Sequence, residues 1–113
     1  MADERRDFER LAILGNLRGE IVVYQPMAVR EIGIRGAAIE TTFPLHLDSL
    51  HDLRLTLADR SVVLKGRIVH SRVIDVDQEA VVYRSGLEFV DVAEHVTAAL
   101  SEFLTEVKAQ RSA

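Results

Sequence analysis

The sequence predicts a mainly β domain, an antiparallel barrel or sandwich, that ends in one α-helix. Two patterns predict this fold. About six short apolar runs are separated by turn residues at spacings of roughly eight to twelve, and the last segment repeats apolar residues at helical spacing. The 113 residues include 48% apolar and 28% charged side chains, without an internal repeat or a linker. A chain of this length buries roughly two-thirds of its unfolded surface, so we expect one domain over residues 1–113.

The predicted strands are short apolar or alternating runs bounded by turn residues. They are residues 21–24, 29–34, 36–42, 53–57, 62–69, 80–83 and 86–90. Pro26 ends the first run or places it at a sheet edge, and Gly33 and Gly36 mark a change of direction between the second and the third. Gly66, inside the fifth run, indicates a bend or a bulge. The β structure is predicted to cover residues 17–90.

The C-terminal helix is predicted over residues 91–109, because apolar residues recur there at spacings of three and four. They are Val92, Val96, Ala99, Leu100, Phe103 and Val107. Asp91 is placed to cap its start, and Glu94 stands where a capping-box acid is expected. The apolar face packs either over an open end of the β structure or against a second copy of the protein. We favour the first arrangement, since an amphipathic helix usually covers its own core.

Composition excludes several classes of function. The chain contains no cysteine, so disulfides, thiol catalysis and cysteine metal sites are excluded. Its formal net charge of −4 disfavours broad binding to DNA or RNA, which requires a basic surface. The first ten residues are charged, so no secretory signal is predicted, and no apolar run approaches the ~20 residues that a membrane span needs. We therefore expect a cytoplasmic protein.

The first candidate site is the charged lead-in, residues 1–12, where Arg5, Arg6 and Arg10 lie within six positions. Guanidinium groups form bidentate pairs with phosphates and stack on nucleobases. The alternative is a solvated helical segment, because its acids and arginines stand at i,i+3 and i,i+4 spacings, as Arg5 and Glu9 do. Four acids accompany the three arginines in the first ten residues, so charge alone favours the helical alternative.

Other clusters carry less information. Gly33 and Gly36 allow a ligand or another backbone to approach closely, although a hairpin bounded by glycines is the favoured explanation. Residues 46–52 hold two histidines and two aspartates, but their spacing matches no usual metal site, so no metal ligand is assigned. His70 and Ser71 face opposite sides of a strand, and no nucleophile-elbow or phosphate-loop motif is present. We expect a non-enzyme without catalytic residues.

The order of the motifs resembles that of a known family. The segment RDFER fits the pattern RxxxR with Arg6 and Arg10, and it is followed in turn by REIGIRG, AAIETTF, VVLKGRIV and, before the helix, GLEFVDV. This order resembles the bacterial PilZ domain from about residue 5 to residue 103. The resemblance implies a six-stranded antiparallel split β-barrel with a C-terminal α-helix. Many members of that family bind the second messenger cyclic di-GMP (c-di-GMP).

The resemblance also implies a ligand site, whose first part is RxxxR. In the family its arginines grip the guanines and phosphates of c-di-GMP, and Arg6 and Arg10 stand at those positions here. Arg5 adds a further cation beside them. Arg35, within the second motif, is able to pair with a phosphate if its side chain points outwards.

The second part of that site, (D/N)xSxxG, aligns with residues 31–36. Gly36 matches the final position, whereas Glu31 stands in place of Asp or Asn and Gly33 in place of serine. The extra methylene of glutamate moves the carboxylate by about 1.5 Å, and the missing hydroxyl removes a hydrogen bond of roughly 0.5–1.5 kcal/mol. We expect these changes to weaken binding by about one to three decades. Glu31, Gly33 and Gly36 remain the ligand contacts that the resemblance implies on this motif.

Two functions follow from the resemblance. In the first, the chain is a non-enzymatic c-di-GMP receptor without a cofactor, and binding orders the lead-in and changes a surface that a protein partner recognises. In the second, the domain no longer binds the nucleotide and acts through protein contacts or self-association, for example as a homodimer through the C-terminal helix. The intact RxxxR motif favours the first. Neither function predicts a DNA or RNA partner.

Overall fold

A computed structural model of the chain describes residues 9–21, 25–76 and 80–112, which form seven strands and one helix. The elements are β1 (Arg10–Ala12), β2 (Arg18–Ile21), β3 (Gln25–Gly33), β4 (Gly36–Thr41), β5 (Leu50–Leu57), β6 (Arg60–Val76), β7 (Val81–Val90) and α1 (Glu94–Ser112). All of the strand pairs between these elements are antiparallel. The predicted mainly β fold with a C-terminal helix is confirmed.

Six of the strands close into a barrel. They follow one another in the order β3, β2, β5, β6, β7 and β4, and β4 pairs back onto β3. β1 pairs with β3 and lies outside this ring, so the end of the predicted lead-in is itself a short strand. Closure is how antiparallel sheets remove exposed edges. The barrel, rather than the sandwich, is therefore the correct alternative, with the six strands that the resemblance implies.

The runs 80–83 and 86–90, predicted as two strands, form the single strand β7. The polar residue between them, Ser85, is fully buried. Its Oγ lies 2.8 Å from Oγ of Ser71 on β6, so both hydroxyls are satisfied and the strand continues through the polar position.

The position of Gly66 in the sequence indicated a bend or a bulge, but the strand register contains no bulge at this residue. The register of β6 against β7 shifts further along, between Ile68 and His70. At Gly66 a Cβ atom would lie 3.0 Å from Cδ1 of Leu53 and 3.1 Å from Cδ1 of Leu87. A larger residue there would press on these core side chains, which would have to shift by a few tenths of an ångström.

The helix spans Glu94–Ser112 rather than the predicted 91–109, and Asp91 is not its cap. Asp91 has a φ of 50°, a left-handed conformation in which Asp is enriched over most residues. The first helical hydrogen bonds join the backbone N of Val96 and of Thr97 to the carbonyl O of Ala93, each at 3.0 Å. Glu94 lies in the first turn, where its charge complements the helix dipole.

The barrel and α1 share one core. Val96, Ala99 and Leu100 pack in the same buried cluster as the strand residues. The largest fully buried side chains of the strands are those of Ile21, Ile32, Ile39, Leu53, Leu55, Ile68 and Leu87. The helix therefore covers its own barrel, against β5 and β6, which is the favoured of the two predicted arrangements. No helix in the described part of the chain is long and apolar enough to cross a membrane.

Candidate ligand-binding face

β1 holds Arg10 against the hairpin that joins β3 and β4. Arg10 pairs with Gly33 in the strand register, and the next residue, Leu11, is only 5% exposed, which anchors β1 in the core. Nη2 of Arg10 lies 3.1 Å from the position that a Cβ on Gly36 would occupy. The guanidinium thus extends across the hairpin from one glycine to the other, and the structure brings together three residues of the predicted site.

Gly33 and Gly36 are required because other backbone atoms approach them closely. A Cβ on Gly33 would collide with the carbonyl oxygen of Glu9, and a Cβ on Gly36 with the carbonyl oxygen of Leu87. Neither glycine has a positive φ, so the conformational freedom of glycine does not explain why it stands at these two positions. The two glycines end β3 and begin β4, as the predicted change of direction requires.

The outer wall of the barrel beside this hairpin is lined by small residues. The neighbours of Ala38 along β4 belong to the core, so strand alternation turns Gly36 and Ala38 outwards. Gly86 on β7 is directly opposite Ala38 and faces the same side. We call Gly33, Gly36, Ala38 and Gly86 the outer shelf. All four residues are buried in this structure, so a ligand reaches their backbone only when the side chains that cover them, such as the His70 ring over Gly86, move aside.

Glu31 lies beside the outer shelf, opposite Ala38. Its Oε2 accepts a hydrogen bond from Nη2 of Arg84 on β7 at 3.2 Å. The side chains are 40% and 30% exposed, respectively, so the ion pair is partly shielded from water. The carboxylate that the resemblance assigns to the ligand therefore has a protein partner here.

A cleft of about 420 Å³ opens at the end of the hairpin. Its charged lining residues are Arg10, Arg35, Glu88 and Asp91. The backbone carbonyl of Arg35 accepts a hydrogen bond of 2.8 Å from the N–H of Phe89, which fixes this end of the hairpin against β7. Arg35 is exposed, as the predicted phosphate contact requires.

Glu88 of this cleft has a partner on β6: Arg67 donates a 2.6 Å hydrogen bond to Oε2 of Glu88. This bond, together with the negative charge of Glu88, raises the pKa of Arg67. The Arg67 guanidinium is thus a charged partner of the Glu88 carboxylate. Its partner carboxylate is engaged, so Glu88 repels an anionic ligand less than a free acid does.

The predicted contacts Arg5 and Arg6 lie outside the described residues. Arg10 belongs to a strand, so the helical salt-bridge interpretation of the lead-in is wrong at that position. Among the described residues, no carboxylate lies within ion-pairing distance of Arg10. Glu9 instead pairs with Lys108 of α1, whose Nζ lies 3.0 Å from Glu9 Oε2.

The histidines and aspartates of residues 46–52 lie in β5 and in the loop before it. No group of three or more metal-ligating side chains occurs in the part of the chain that the structure describes. Nε2 of His51 lies 2.8 Å from Oγ of Ser49. Burial lowers the pKa of His51, and the charge of His46 lowers it further. His51 and Ser49 thus form a local polar contact within residues 46–52.

Sequence reasoning missed two residues of this face, His70 and Arg84. A Cβ on Gly86 would lie 2.6 Å from Cε1 and 2.7 Å from Cδ2 of His70, so the imidazole ring lies across that glycine. The pattern Arg84, Gly86, Glu88 alternates along β7 and places all three on one face. It was visible in the sequence, but only the strand register joins it to the hairpin.

Comparison with known proteins bears on the fold. No protein-family model matches the sequence, and no curated protein matches it. MrkH from K. pneumonia, in complex with c-di-GMP, superimposes with a TM-score of 0.75 at 16% identity, over 91% of this chain and 51% of that chain. The Bacillus subtilis inhibitor of motility, MotI/DgrA, superimposes with a TM-score of 0.71 at 14% identity, over 89% and 49%.

The PilZ domain of YcgR from Escherichia coli, with c-di-GMP, superimposes with a TM-score of 0.70 at 12% identity, over 91% of this chain and 91% of that chain. The chain thus spans about half the length of MrkH and of MotI/DgrA, and nearly all of the YcgR domain. At these identities the likeness shows the fold.

Proposed function

Since the chain has a PilZ-like fold, we propose that it is a non-enzymatic signalling domain that binds c-di-GMP on the outer shelf and changes a contact with a protein partner. The observation that carries this proposal is the position of Arg10, whose guanidinium reaches across the hairpin to Gly36 beside an open cleft. Two of the similar structures, MrkH and the YcgR domain, contain c-di-GMP.

The chemistry of the face suits a cyclic dinucleotide. Arg10 supplies a planar fork that pairs with phosphate or with the acceptor edge of guanine. Once the side chains that cover the outer shelf have moved aside, its small residues let a base or a sugar lie against the backbone. Glu31 is the acceptor for the donor edge of guanine, and Arg35 is an additional cation for a phosphate. Arg5 and Arg6 complete the arginine half of the site in this proposal.

Contacts between β1 and α1 give a route from the ligand to a partner. Lys108 pairs with Glu9 next to Arg10, and the guanidinium of Arg111 donates to the backbone carbonyl of Ala12. A ligand that pulls on Arg10 therefore acts on a strand held by the C-terminal helix. The resulting change in the surface of α1 is the output that a partner recognises.

Calorimetric titration of the full chain with c-di-GMP tests the proposal. We expect saturable heat from the wild type and an affinity at least about tenfold weaker for Arg10→Ala, because one charge-assisted pair is lost. Arg6→Ala is expected to act in the same way. Arg18→Ala is the matched control, since Arg18 is an exposed arginine on β2, away from the hairpin.

Two results contradict the proposal. One is the absence of heat from the wild type at ~100 µM, a concentration at which even a site of ~−5 kcal/mol is partly occupied. The other is equal binding by Arg10→Ala and Arg18→Ala, which would place the ligand elsewhere.

One observation favours the second function, an interaction module that no longer binds the nucleotide. Several apolar side chains along β6 are exposed, most of them in its second half, and exposed apolar patches are typical of protein contacts. They are Val63, Val69, Val73, Ile74 and Val76. This function predicts no heat with c-di-GMP, together with a dimer or a partner complex that light scattering detects equally in the wild type and in Arg10→Ala.

A further inference from the structure

The ion pair between Glu31 and Arg84 joins two strands across the outer shelf. Arg84 lies on β7 and Glu31 on β3, with β4 between them. Arg84 reaches across because the intervening outward residue is Ala38, whose side chain is short. The closer acid, Glu40, is directly opposite Arg84, but its Oε1 is already 3.1 Å from Nε of Arg30. Arg84 therefore donates to Glu31 at 3.2 Å.

The pair limits the freedom of a long side chain. Glutamate has one more rotatable bond than aspartate, so on an exposed surface its carboxylate samples several positions. The hydrogen bond from Arg84 engages Oε2, and Oε1 is the second acceptor of the same carboxylate. Glu31 is two residues from Gly33, the register partner of Arg10, so Glu31 and Arg10 border the same end of β3.

We infer that Arg84 is a positioning residue that fixes Glu31 as the reader of guanine, an inference that rests on the function proposed above. The Watson–Crick edge of guanine carries two neighbouring N–H donors, which a carboxylate accepts. Adenine presents a lone pair at the corresponding ring nitrogen, which repels the carboxylate. A site built around such an acceptor rejects a ligand without the donors. The Glu31–Arg84 pair thus makes the face selective for c-di-GMP over c-di-AMP.

The pair with Arg84 gives a structural role to Glu31, which stands where the family motif has Asp or Asn. Glu31→Asp restores the family residue but withdraws the carboxylate by about 1.5 Å, which breaks the contact with Arg84. We therefore expect Glu31→Asp to bind c-di-GMP more weakly than the wild type does, although it matches the motif better. The longer acid and the arginine on β7 act as one unit.

The test is a titration of the full chain with c-di-GMP and, separately, with c-di-AMP. Arg84→Met is expected to weaken binding of c-di-GMP about tenfold with a much smaller effect on c-di-AMP, so that selectivity falls. Arg84→Lys is expected to keep part of the selectivity for c-di-GMP that Arg84→Met loses. Glu31→Gln combined with Arg84→Met is expected to be no worse than Glu31→Gln alone. Arg72→Met is the matched control, because Arg72 is an exposed arginine directly opposite Arg84 on β6.

The outcomes separate the two proposals. If the wild type binds neither dinucleotide, the proposed function fails and the inference fails with it. If the wild type binds c-di-GMP and Arg84→Met binds it equally or more tightly, only the inference is overturned. An equal loss for both dinucleotides also overturns it, because it indicates a general electrostatic role. Thermal unfolding of each variant confirms that the fold is retained.

Discussion

At Gly33 an added Cβ would collide with the backbone carbonyl of Glu9. Gly33→Ala, or Gly33→Ser as in the family motif, is expected to destabilise the fold by about 1–3 kcal/mol, because β1 must move away from β3. Urea unfolding measures the loss. Gly15→Ala is the control, since nothing lies within 4 Å of its added Cβ. Equal stabilities of the two variants would show that β1 does not press on Gly33.

His51 is a residue that makes stability depend on pH. Its pKa is lowered from the usual 6.5, first by burial and then by His46. The folded protein therefore binds a proton here less readily than the unfolded chain does. The stability from this group is complete above pH 6.5 and is lost as the pH falls towards the lowered pKa.

Urea midpoints between pH 7.5 and pH 5 check this dependence. We expect a shallower decline for His51→Gln than for the wild type, and an intermediate one for His46→Gln, which removes the second cause. Identical slopes in all three proteins would refute the assignment.

Single residues also show which parts of the site could be predicted. Arg10, Gly33 and Gly36 were identified from short motifs, because each motif is contiguous in the sequence. Arg84 was not, since it stands 53 positions from Glu31 and meets it only through the pairing of three strands. Pair contacts of this kind depend on register, which local patterns do not contain.

At the scale of elements, β6 shows why strand lengths were underestimated. From Val62 to Ile68 buried and exposed residues alternate strictly, and beyond Ile68 nearly every residue is partly or fully exposed. The second half of the strand is held by its pairing with β7 rather than by burial. Hydrophobic periodicity detects only the first half, which is the part that was predicted.

The helix α1 is held by a small number of buried side chains, of which Leu100 is the most enclosed, with 0% exposure. Leu100→Ala is expected to lower the free energy of unfolding by about 2–5 kcal/mol, from lost burial and the cavity that remains. Leu47→Ala is the control, because Leu47 is 62% exposed and lies in a loop. A urea midpoint for Leu100→Ala that matches the control would mean that α1 contributes little to the core.

At the scale of the whole molecule, closure of the barrel helps to create the site. The register between β3 and β4 shifts between Val29 and Glu31, so Arg30 is an extra residue in β3. A one-residue slip moves every following side chain to the other face of the sheet. Val29 and Ile32 are therefore both in the core, while Glu31 points to the outer shelf. The same irregularity that bends the strand around the barrel places Glu31 on its outer face.

The position of β1 outside the ring has an energetic consequence. Three residue pairs join it to β3, and none of them takes part in closing the barrel. Detachment of this segment leaves the six-stranded ring intact, so it is a partial opening rather than global unfolding. An effector that competes for the segment must undo the burial of Leu11 and the contacts with α1 but not the barrel, and the domain is able to alter its outline while it remains folded.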